Sequence, residues 1–336
     1  MDSKSSDDQN DFKDKAPGSA LNYCTVSIAA VVAEDFAFRI TTRTGIEDLV
    51  NSIEQLGLIH PPVLIKNSRG YVVVCGFRRI AACRHLGWSR ITAGVLEETA
   101  DRLQMAQLAI ADNALQRPLN LVETSRALSL LTEVCSDQTQ FRQTALILGL
   151  PVDPSVVAKI KKICQLPREI QESILAGTIG MAMALALGEL DQPTGKALLG
   201  VFDQLKVGLN KQRELLLLLT EIARRENRSV EQLIAEKTFQ KILVDAQLDR
   251  ALKRQKIRSF LLQRRYPSIS EAAAHFAKRV RELKLGNNID LIPPRDFEDT
   301  AFTMTLRFNN LENLSDLKQK IEEIMVHPAF AEILNR

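Results

Sequence analysis

The sequence contains no apolar run near the roughly 18 residues that a membrane-spanning helix needs. Its most apolar run, residues 215–219, has charged residues on both sides. The N-terminus also lacks the basic segment and apolar stretch of a secretion signal, because residues 1–20 are polar and charged. We therefore expect a cytoplasmic protein with no membrane contact, in which residues 1–20 form a disordered tail.

Aromatic residues, glycine and proline are also few. Aromatic residues make up 5% of the chain, and its 336 residues include only 15 glycines and 12 prolines. Leu, Ala and Ile dominate instead, which favours helix over sheet for most of the length. With 45% apolar residues, the chain can bury a full core and is long enough for two or three domains. We expect a helix-rich α+β protein.

Cysteine and histidine are present in small numbers and are not spaced as metal ligands. The five cysteines form no CxxC pair and mostly lie in apolar runs, so we expect reduced, buried thiols. The scattered histidines argue against a zinc site. The cysteines are Cys24, Cys75, Cys83, Cys135 and Cys164, and the histidines are His60, His85, His275 and His327.

Positive charge is concentrated in one part of the C-terminal region. Residues 251–284 carry ten Lys or Arg against two Glu, a net charge of +8, whereas residues 285–336 carry −4. This polarity indicates either a basic face for a polyanion or an ordinary solvated helix face. The candidates for non-specific contacts to DNA phosphates are Arg264, Arg265, Arg279 and Arg281.

The N-terminal region mixes helix and strand signals. Thr44 and Glu47 form a predicted capping box, and an apolar period of helical spacing follows until Gly57. Two runs rich in β-branched residues come next, at residues 63–66 and 71–75, and a turn separates them.

A glycine then separates the second strand from another helix. Gly76-Phe77-Arg78-Arg79 follows the strand, and the helical pattern continues to Leu86. A helix that begins here leaves free amide donors and a positive dipole end for a phosphate, and paired arginines match phosphate oxygens. The same local pattern also allows an ordinary surface helix whose arginines face water.

The order of three segments, SIEQLGLIHPPVLI, YVVVCGFRRIAACRHLG and DNALQRPLNLVE, resembles the N-terminal domain of the ParB chromosome-partitioning family. The resemblance implies a small α/β domain of the ParB/sulfiredoxin type at residues 21–120, which binds CTP with Mg²⁺. The implied nucleotide contacts are Gly76, Arg78, Arg79 and Arg117, and the implied metal residues are Asp112 and Asn113.

Asp112 and Asn113 also have a purely local interpretation. Asp and Asn commonly end helices, so this pair could simply terminate a helix over residues 100–111. Mg²⁺ bound to phosphates needs only one or two protein oxygens, which an acidic residue and an amide supply.

Some positions depart from the family's pattern. Phe77 stands where family members that hydrolyse CTP have an acidic residue, and a phenyl ring cannot orient water or accept a proton. His60 stands where glutamine is common, and Asp112 replaces a glutamate. Sulfiredoxins have a catalytic cysteine in the matching turn, whereas here Cys75 lies on the apolar strand. We therefore expect nucleotide binding, leave hydrolysis open, and expect no sulfiredoxin activity.

Residues 121–195 have the signals of an all-helical domain. Asn120 with Glu123 predicts the start of a linking helix, and Asp153-Pro154 predicts another helix start after a break at Gly149. These positions resemble a helix-turn-helix motif, and KICQLPREIQESILAGTIGMAMALAL resembles the ParB segment that follows. The expected buried face of the second helix is Val156, Val157, Ile160 and Ile163.

The second helix of this motif is the predicted DNA-recognition helix. Few of its residues are of the types that read base edges, and Met183 and Leu185 replace the family's common His and Arg. We expect backbone contacts to outweigh base reading. The DNA-binding candidates are Ser155, Lys159, Lys161 and Lys162.

Residues 196–336 are expected to form a helical region that ends in a small α+β module. Helical patterns cover residues 215–223 and 233–260, and Tyr266-Pro267 breaks the second. The strand pattern TAFTMTLRF precedes a final helix at residues 314–325. By analogy with the family, we expect a homodimer and a partner ATPase of the ParA type.

The leading hypothesis is a nucleoid-associated, ParB-like DNA-binding protein that is gated by CTP, or a related nucleotide, with Mg²⁺. Two alternatives remain open. One is a nucleotide-independent transcriptional regulator or adaptor, which Phe77 favours. The other is a kinase for a small molecule such as free serine, in which Glu47 or Glu54 would have to provide the catalytic acid.

Overall fold

The computed structural model describes residues 21–97, 99–297 and 300–335, so the predicted tail at residues 1–20 lies outside the described residues. The chain divides into two compact units, Met1–Leu190 and Asp191–Arg336. Helix is the commonest regular structure in both units, and a small mixed sheet lies in the first. Within the described ranges, no helix combines the length and the apolar character required to span a membrane.

The first unit contains a four-stranded sheet. Its strands are β1 (Asn22–Ser27), β2 (Val63–Asn67), β3 (Gly70–Cys75) and β4 (Arg90–Leu96). The spatial order is β1-β4-β2-β3, with antiparallel pairs β1–β4 and β2–β3 and a parallel pair β2–β4. The two strands predicted on either side of the turn at residues 67–70 are confirmed as β2 and β3.

Eight helices follow or connect these strands among the described residues of the first unit. They are α1 (Glu47–Leu56), α2 (Phe77–His85), α3 (Arg102–Ala114), α4 (Leu121–Val134), α5 (Gln138–Ile147), α6 (Pro154–Lys161), α7 (Arg168–Leu175) and α8 (Met181–Gly188). Short 3₁₀ turns occupy Ile28–Ala30 and Lys162–Gln165.

Both faces of the sheet are covered by helices, as the alternation of β3 shows. Val73 packs in a core with Ile53 of α1 and Ile80 of α2. Val72 and Val74 face the opposite way and belong to the core that contains α3 and α4. Side chains of a strand point alternately to its two faces, so a strand that is buried on both faces has a continuous apolar sequence. The sequence YVVVC of β3 is such a run.

The core on the α3 side continues into the helices of the second half of this unit. One cluster of buried side chains contains Ile110 of α3, Leu128 of α4, Ala145 of α5 and Ile160 of α6. Residues on both sides of the predicted domain boundary, between residues 120 and 121, therefore belong to the same apolar core. The division into two domains at this point remains a prediction.

The helix starts of this unit follow the sequence signals with one exception. The capping boxes and caps predicted at Asn120 with Glu123 and at Asp153 are confirmed. The capping box predicted for Thr44 and Glu47 is wrong, because α1 begins at Glu47 with Ile46 as an N-cap that makes no side-chain hydrogen bond. Arg78 of α2 instead contacts the chain just before α1, where its Nε donates a hydrogen bond to the Gly45 carbonyl at 2.8 Å.

The second unit is helical over most of its described length. Its elements are α9 (Gln192–Leu205), α10 (Leu209–Glu226), α11 (Val230–Ile234), α12 (Lys237–Val244), α13 (Arg250–Arg265), α14 (Pro267–Leu283), β5 (Ile289–Ile292), β6 (Thr303–Leu306), α15 (Leu311–Met325) and α16 (Pro328–Leu334). β5 and β6 pair antiparallel and pack with α14, α15 and α16 around a common core. The predicted strand and the break at Tyr266-Pro267 are confirmed. The helix predicted at residues 314–325 is confirmed as part of α15, but it is not the final helix, because α16 follows it.

The single helix predicted over residues 233–260 is wrong, because the chain forms three helices there. Asp249 caps a new helix start by accepting a hydrogen bond from the Leu252 amide at 2.7 Å. The Lys253 ammonium donates to the Leu243 carbonyl at 2.8 Å, which caps the end of α12. Apolar periodicity alone did not reveal these two local interruptions.

Candidate functional site: a cleft at the start of α2 and the helix-turn-helix surface

A cleft of about 470 Å³ lies where β3 passes into α2. Its walls come from the β3–α2 turn, the end of α3 and the residues that follow α3. All six residues predicted for nucleotide and metal binding line it: Gly76, Arg78, Arg79, Asp112, Asn113 and Arg117.

Gly76 turns the chain from β3 into α2 with a left-handed backbone, at φ +92°. A Cβ at this position would lie 2.9 Å from the Pro62 Cβ, so both the backbone angle and the space require glycine. No side chain caps α2, and its first turn has no acidic residue. The first amides of a helix lack intrahelical acceptors and carry the positive dipole end, so this turn presents donors suited to an anion.

Arg79 is fixed on the cleft wall by protein acceptors. One terminal nitrogen donates to both carboxylate oxygens of Asp112 at 3.1 Å. The other donates to the carbonyls of His60 at 2.9 Å and Pro61 at 3.1 Å. The carboxylate therefore already has a cationic partner in the ligand-free chain.

Asp112 and Asn113 lie in the last turn of α3, which runs to Ala114, so their interpretation as terminators after residue 111 is wrong. The Asn113 amide nitrogen donates to the Ala109 carbonyl at 2.9 Å, and its side-chain oxygen is left as an acceptor. Carboxylate and amide oxygens fit the ligands that Mg²⁺ takes together with phosphates. For Asp112 to bind Mg²⁺, its ion pair with Arg79 would have to break.

Arg117 is paired with Glu123, a partner that sequence analysis did not identify. The two guanidinium nitrogens each donate to one carboxylate oxygen at 2.7 Å. The Thr42 and Asn120 amides donate to the same carboxylate at 2.9 and 3.1 Å. Burial alone would raise the pKa of this fully buried carboxyl, but the hydrogen bonds from Arg117, Thr42 and Asn120 outweigh it and lower the pKa to about 2. The sequence showed Glu123 only as part of a capping box.

Phe77 packs its ring among apolar side chains at the edge of the cleft. It lies against the core formed with α1 and α2, and its ring centroid is 6.4 Å from that of Phe36. Asp112 is the only carboxylate among the described residues that line the cleft. Glu47 and Glu54 do not line it, so neither catalytic acid of the kinase alternative is placed at the cleft.

Cys75 ends β3 directly before the cleft. Its side chain is buried, as predicted. Burial raises the pKa of this thiol to about 12, and the nearby charge of Asp112 also raises it. The thiol is therefore neutral at physiological pH and is a poor nucleophile. Cys83 is buried too, but Cys135 and Cys164 are half-buried and Cys24 is exposed, so the prediction of buried thiols holds for only two of the five cysteines.

The helix-turn-helix signals form α5 and α6. Asp153 accepts hydrogen bonds from the Ser155 hydroxyl at 2.7 Å and from the Ser155 and Val156 amides at 2.9 and 3.0 Å. Lys159 and Lys162 are exposed, and Lys161 is half-buried. The prediction that Val156 is buried is wrong, since it is 39% exposed. Val157, Ile160 and Ile163 form the buried stripe, and residue 156 lies about 100° around the helix from 157.

The basic candidates of the second unit mostly have carboxylate partners. Arg264 pairs with Glu226 and Glu236, each at 2.5 Å. Arg281 is exposed. The other pairs are Arg265 with Glu221 at 2.6 Å and Arg279 with Glu282 at 2.8 Å.

Comparison with known proteins finds similarity in the first half of the chain. The profile of the ParB N-terminal domain matches residues 24–114. The nucleoid occlusion protein of Oceanobacillus iheyensis is 31% identical over 172 residues, which cover 50% of this chain and 58% of that protein. The probable chromosome-partitioning protein ParB of Campylobacter jejuni is 26% identical over 156 residues, 46% of this chain and 54% of that protein. The chain thus spans a little more than half of these relatives.

Solved structures of ParB proteins also match. The C-terminally truncated ParB of Caulobacter crescentus, complexed with CTP-γ-S, has 23% identity and a TM-score of 0.25, and the match covers 55% of this chain and 98% of that one. The C222₁ form of a Pnob8-like ParB-N domain has 14% identity and a TM-score of 0.34, with 70% and 97% covered. Residues 24–114 thus match the ParB N-terminal domain, and about half of the chain is similar in sequence to nucleoid occlusion and ParB proteins.

Proposed function

We propose that this chain is a ParB-like DNA-binding protein whose cleft binds CTP, or a related nucleoside triphosphate, with Mg²⁺. One observation carries the proposal: six residues chosen from the sequence, on separate segments, line a single cleft at a helix N-terminus. The cleft is also large enough for a nucleotide-sized ligand.

The ion pairs of the cleft define what binding would change. A triphosphate supplies oxygens that compete with Asp112 for the Arg79 guanidinium. Asp112, once released from Arg79, would supply an oxygen ligand for Mg²⁺ beside Asn113. Arg78, whose Nε donates to the Gly45 carbonyl at 2.8 Å, would connect the phosphates to the segment before α1.

The helical half of the first unit supplies the DNA-binding surface of this proposal. Ser155, Lys159 and Lys162 are exposed on and after α6, and Lys161 lies beside them. Lysines contact phosphates as point charges, so this surface favours binding of limited sequence preference. A role on the nucleoid, in the cytoplasm, agrees with the names of the relatives. A homodimer and a ParA-type partner are proposed by analogy alone.

Titration calorimetry of CTP, ATP and GTP with Mg²⁺ tests the proposal. We expect CTP binding that is lost in Arg78→Ala and kept in the control Arg90→Ala, an exposed arginine at the start of β4. Absence of binding for all three nucleotides would refute the nucleotide part. DNA binding that is indifferent to nucleotide would then identify the nucleotide-independent regulator.

Phosphate release during the same titration addresses hydrolysis. We expect CTP to be bound without turnover above background, because Phe77 lies where hydrolysing family members have an acid. Turnover that requires an added amino acid would instead support the kinase alternative.

A further inference from the structure

A second groove, of about 760 Å³, lies in the first unit between the segment before α1 and the helices α4 and α7. It shares no lining residue with the nucleotide cleft. Three arginines line it, and Glu172 is its one carboxylate among the described residues. The lining residues that matter here are Arg39, Arg126, Arg168, Thr42, Thr44 and Glu172.

Arg39 has no carboxylate partner among the residues that the structure describes. Its Nε atom is buried and makes no hydrogen bond within those residues. Its guanidinium carbon lies 5.2 Å from the centroid of the exposed Phe36 ring. A buried N–H donor without an acceptor is costly, so this atom indicates a missing partner.

Arg126 faces the same groove with only neutral acceptors. Its terminal nitrogen donates to the Thr41 carbonyl at 2.9 Å and to the Ile40 carbonyl at 3.4 Å. Burial lowers the pKa of Arg126, and the positive charge of Arg39 lowers it further. The carboxylate of Glu123 lies near, but Arg117 already binds both of its oxygens. Among the described residues, therefore, neither of these two neighbouring guanidinium groups forms an ion pair with a carboxylate.

Arg168 lies at the rim of the groove. Its Nε donates to Glu172 at 2.7 Å, and its side chain is 89% exposed. This ion pair is between residues one helical turn apart at the surface, and such pairs contribute little stability. The guanidinium of Arg168 is therefore available to an anion that enters the groove.

The groove is also close in sequence to the candidate DNA-binding residues of α6. The turn Lys162–Gln165 follows α6 directly, and Cys164 of this turn lines the groove. Lys159 and Lys162 thus precede the groove along a short, basic stretch of the same compact unit. This proximity in the chain makes a polyanion bound at α6 the occupant that we consider for the groove.

We propose that this groove is a phosphate-binding site, in which Arg39 and Arg126 bind one phosphate oxyanion and Arg168 contacts it from the rim. Guanidinium groups match phosphate oxygens in planar, bidentate geometry. The phosphate belongs to the backbone of the nucleic acid held by α6, a source that rests on the DNA binding proposed above. The anion site itself does not depend on that function.

The segment before α1 connects this groove to the nucleotide cleft. Thr41 and Arg43 line the cleft, whereas Thr42 and Thr44 line the groove. Alternate residues of one extended stretch therefore form a wall of each site, so an anion in the groove would restrain a wall of the cleft.

Thermal unfolding in inorganic phosphate, compared with chloride at equal ionic strength, tests the anion site. The starting protein carries Arg78→Ala, the substitution expected to remove nucleotide binding at the cleft. We expect this protein to be stabilised by phosphate, and Arg39→Gln to weaken the apparent affinity by about ten-fold, the loss of one or two charged hydrogen bonds. Arg39→Lys, which keeps the charge, should retain part of the affinity. Arg168→Gln, at the surface, gives a second readout if Arg39→Gln does not fold.

Binding of a random-sequence DNA duplex over a range of salt concentrations tests the source of the phosphate. Arg39→Gln should remove one phosphate contact. The slope of the logarithm of the DNA-binding constant against the logarithm of the salt concentration should then fall in magnitude by about 1, with no change in the control Arg90→Gln. If Arg39→Gln weakens phosphate binding but leaves the DNA salt slope unchanged, the anion site stands and the proposal that its phosphate comes from nucleic acid is refuted. If the unmodified chain binds no DNA, the proposed function fails while the phosphate measurement still decides the site. Equal behaviour of Arg39→Gln and its parent in both measurements would overturn the proposal.

Discussion

Arg117 and Glu123 form a two-pronged ion pair, with both nitrogen–oxygen distances at 2.7 Å and the carboxylate fully buried. The pair ties the residues after α3 to the first turn of α4, and through Thr42 it also holds the segment before α1. Three parts of the first unit therefore depend on one carboxylate.

We predict that Glu123→Gln lowers the free energy of unfolding at neutral pH by about 3 to 5 kcal/mol, because it leaves a guanidinium without its buried partner. Urea unfolding measures this loss. Glu133→Gln on the exposed face of the same helix removes the same charge and should change stability little. Similar effects of the two substitutions would contradict the role given to Glu123.

The low pKa of Glu123 also predicts acid sensitivity. The folded chain holds this carboxyl near pKa 2, against an ordinary value of 4.5, so the unfolded chain takes up the proton first as the pH falls. The stabilisation is complete above about pH 4.5 and is lost between there and pH 2. Unfolding curves over this range should show a weaker pH dependence in Glu123→Gln than in the parent chain.

Asp112→Asn should separate nucleotide affinity from its dependence on Mg²⁺. The substitution frees Arg79 from its carboxylate, so we expect nucleotide binding without metal to be kept or improved. The gain on adding Mg²⁺ should fall about ten-fold or more, because a charged oxygen ligand is lost. Calorimetry with Mg²⁺ and with EDTA measures both quantities. Asp48→Asn, exposed on α1, is the control, and an undiminished Mg²⁺ effect would exclude Asp112 as a ligand.

Thiol labelling at pH 8 should distinguish the cysteines by burial. We expect iodoacetamide to modify Cys24 quickly and to spare Cys75 and Cys83 until the chain unfolds, because burial raises the pKa of both buried thiols. Peptide mass spectrometry, with and without urea, gives the order of modification. Labelling of Cys75 in the folded chain as fast as Cys24 would show that β3 opens at the cleft.

Arg264 is predicted to stabilise the second unit more than it contributes to DNA binding. Its hydrogen bonds to Glu226 and Glu236 lower the pKa of both carboxyls. We expect Arg264→Gln to cost about 2 kcal/mol of stability, the scale of hydrogen bonds to charged groups. Lys256→Gln, exposed on the same helix, is the control in unfolding. If Arg264→Gln instead reduces the salt dependence of DNA binding by about 1 in slope and does not lower stability, the sequence-based prediction that Arg264 contacts a DNA phosphate would be favoured.

The predictions that succeeded rest on local chemistry. The sequence at residues 70–86 predicts strand, glycine and helix because the period of apolar residues changes abruptly at Gly76. The start of α4 was predictable because Asn120 and Glu123 satisfy each other's amides within one turn. In both places the residues that decide the structure are neighbours in the chain.

Two of the failures come from partners that are distant in sequence. Thr44 lines the groove instead of capping α1, and the Gly45 carbonyl is taken by Arg78, 33 residues further on. Arg79 and Asp112 are also 33 residues apart in sequence. The sequence therefore indicated a phosphate-binding residue and a metal-binding residue, but not that the two form an ion pair with each other. Burial of Val156 was expected from apolar character alone, which cannot tell an exposed valine from a core one.

The apolar core shared by the sheet and the helices through α6 governs how this protein can be divided. A fragment that ends at residue 120 would keep every residue predicted to bind nucleotide, yet it would leave Met105, Ala109 and Ile110 of α3 without the side chains of α4 that cover them. Such a fragment is expected to aggregate or to melt gradually, whereas one that ends near residue 190 should unfold in a single cooperative step.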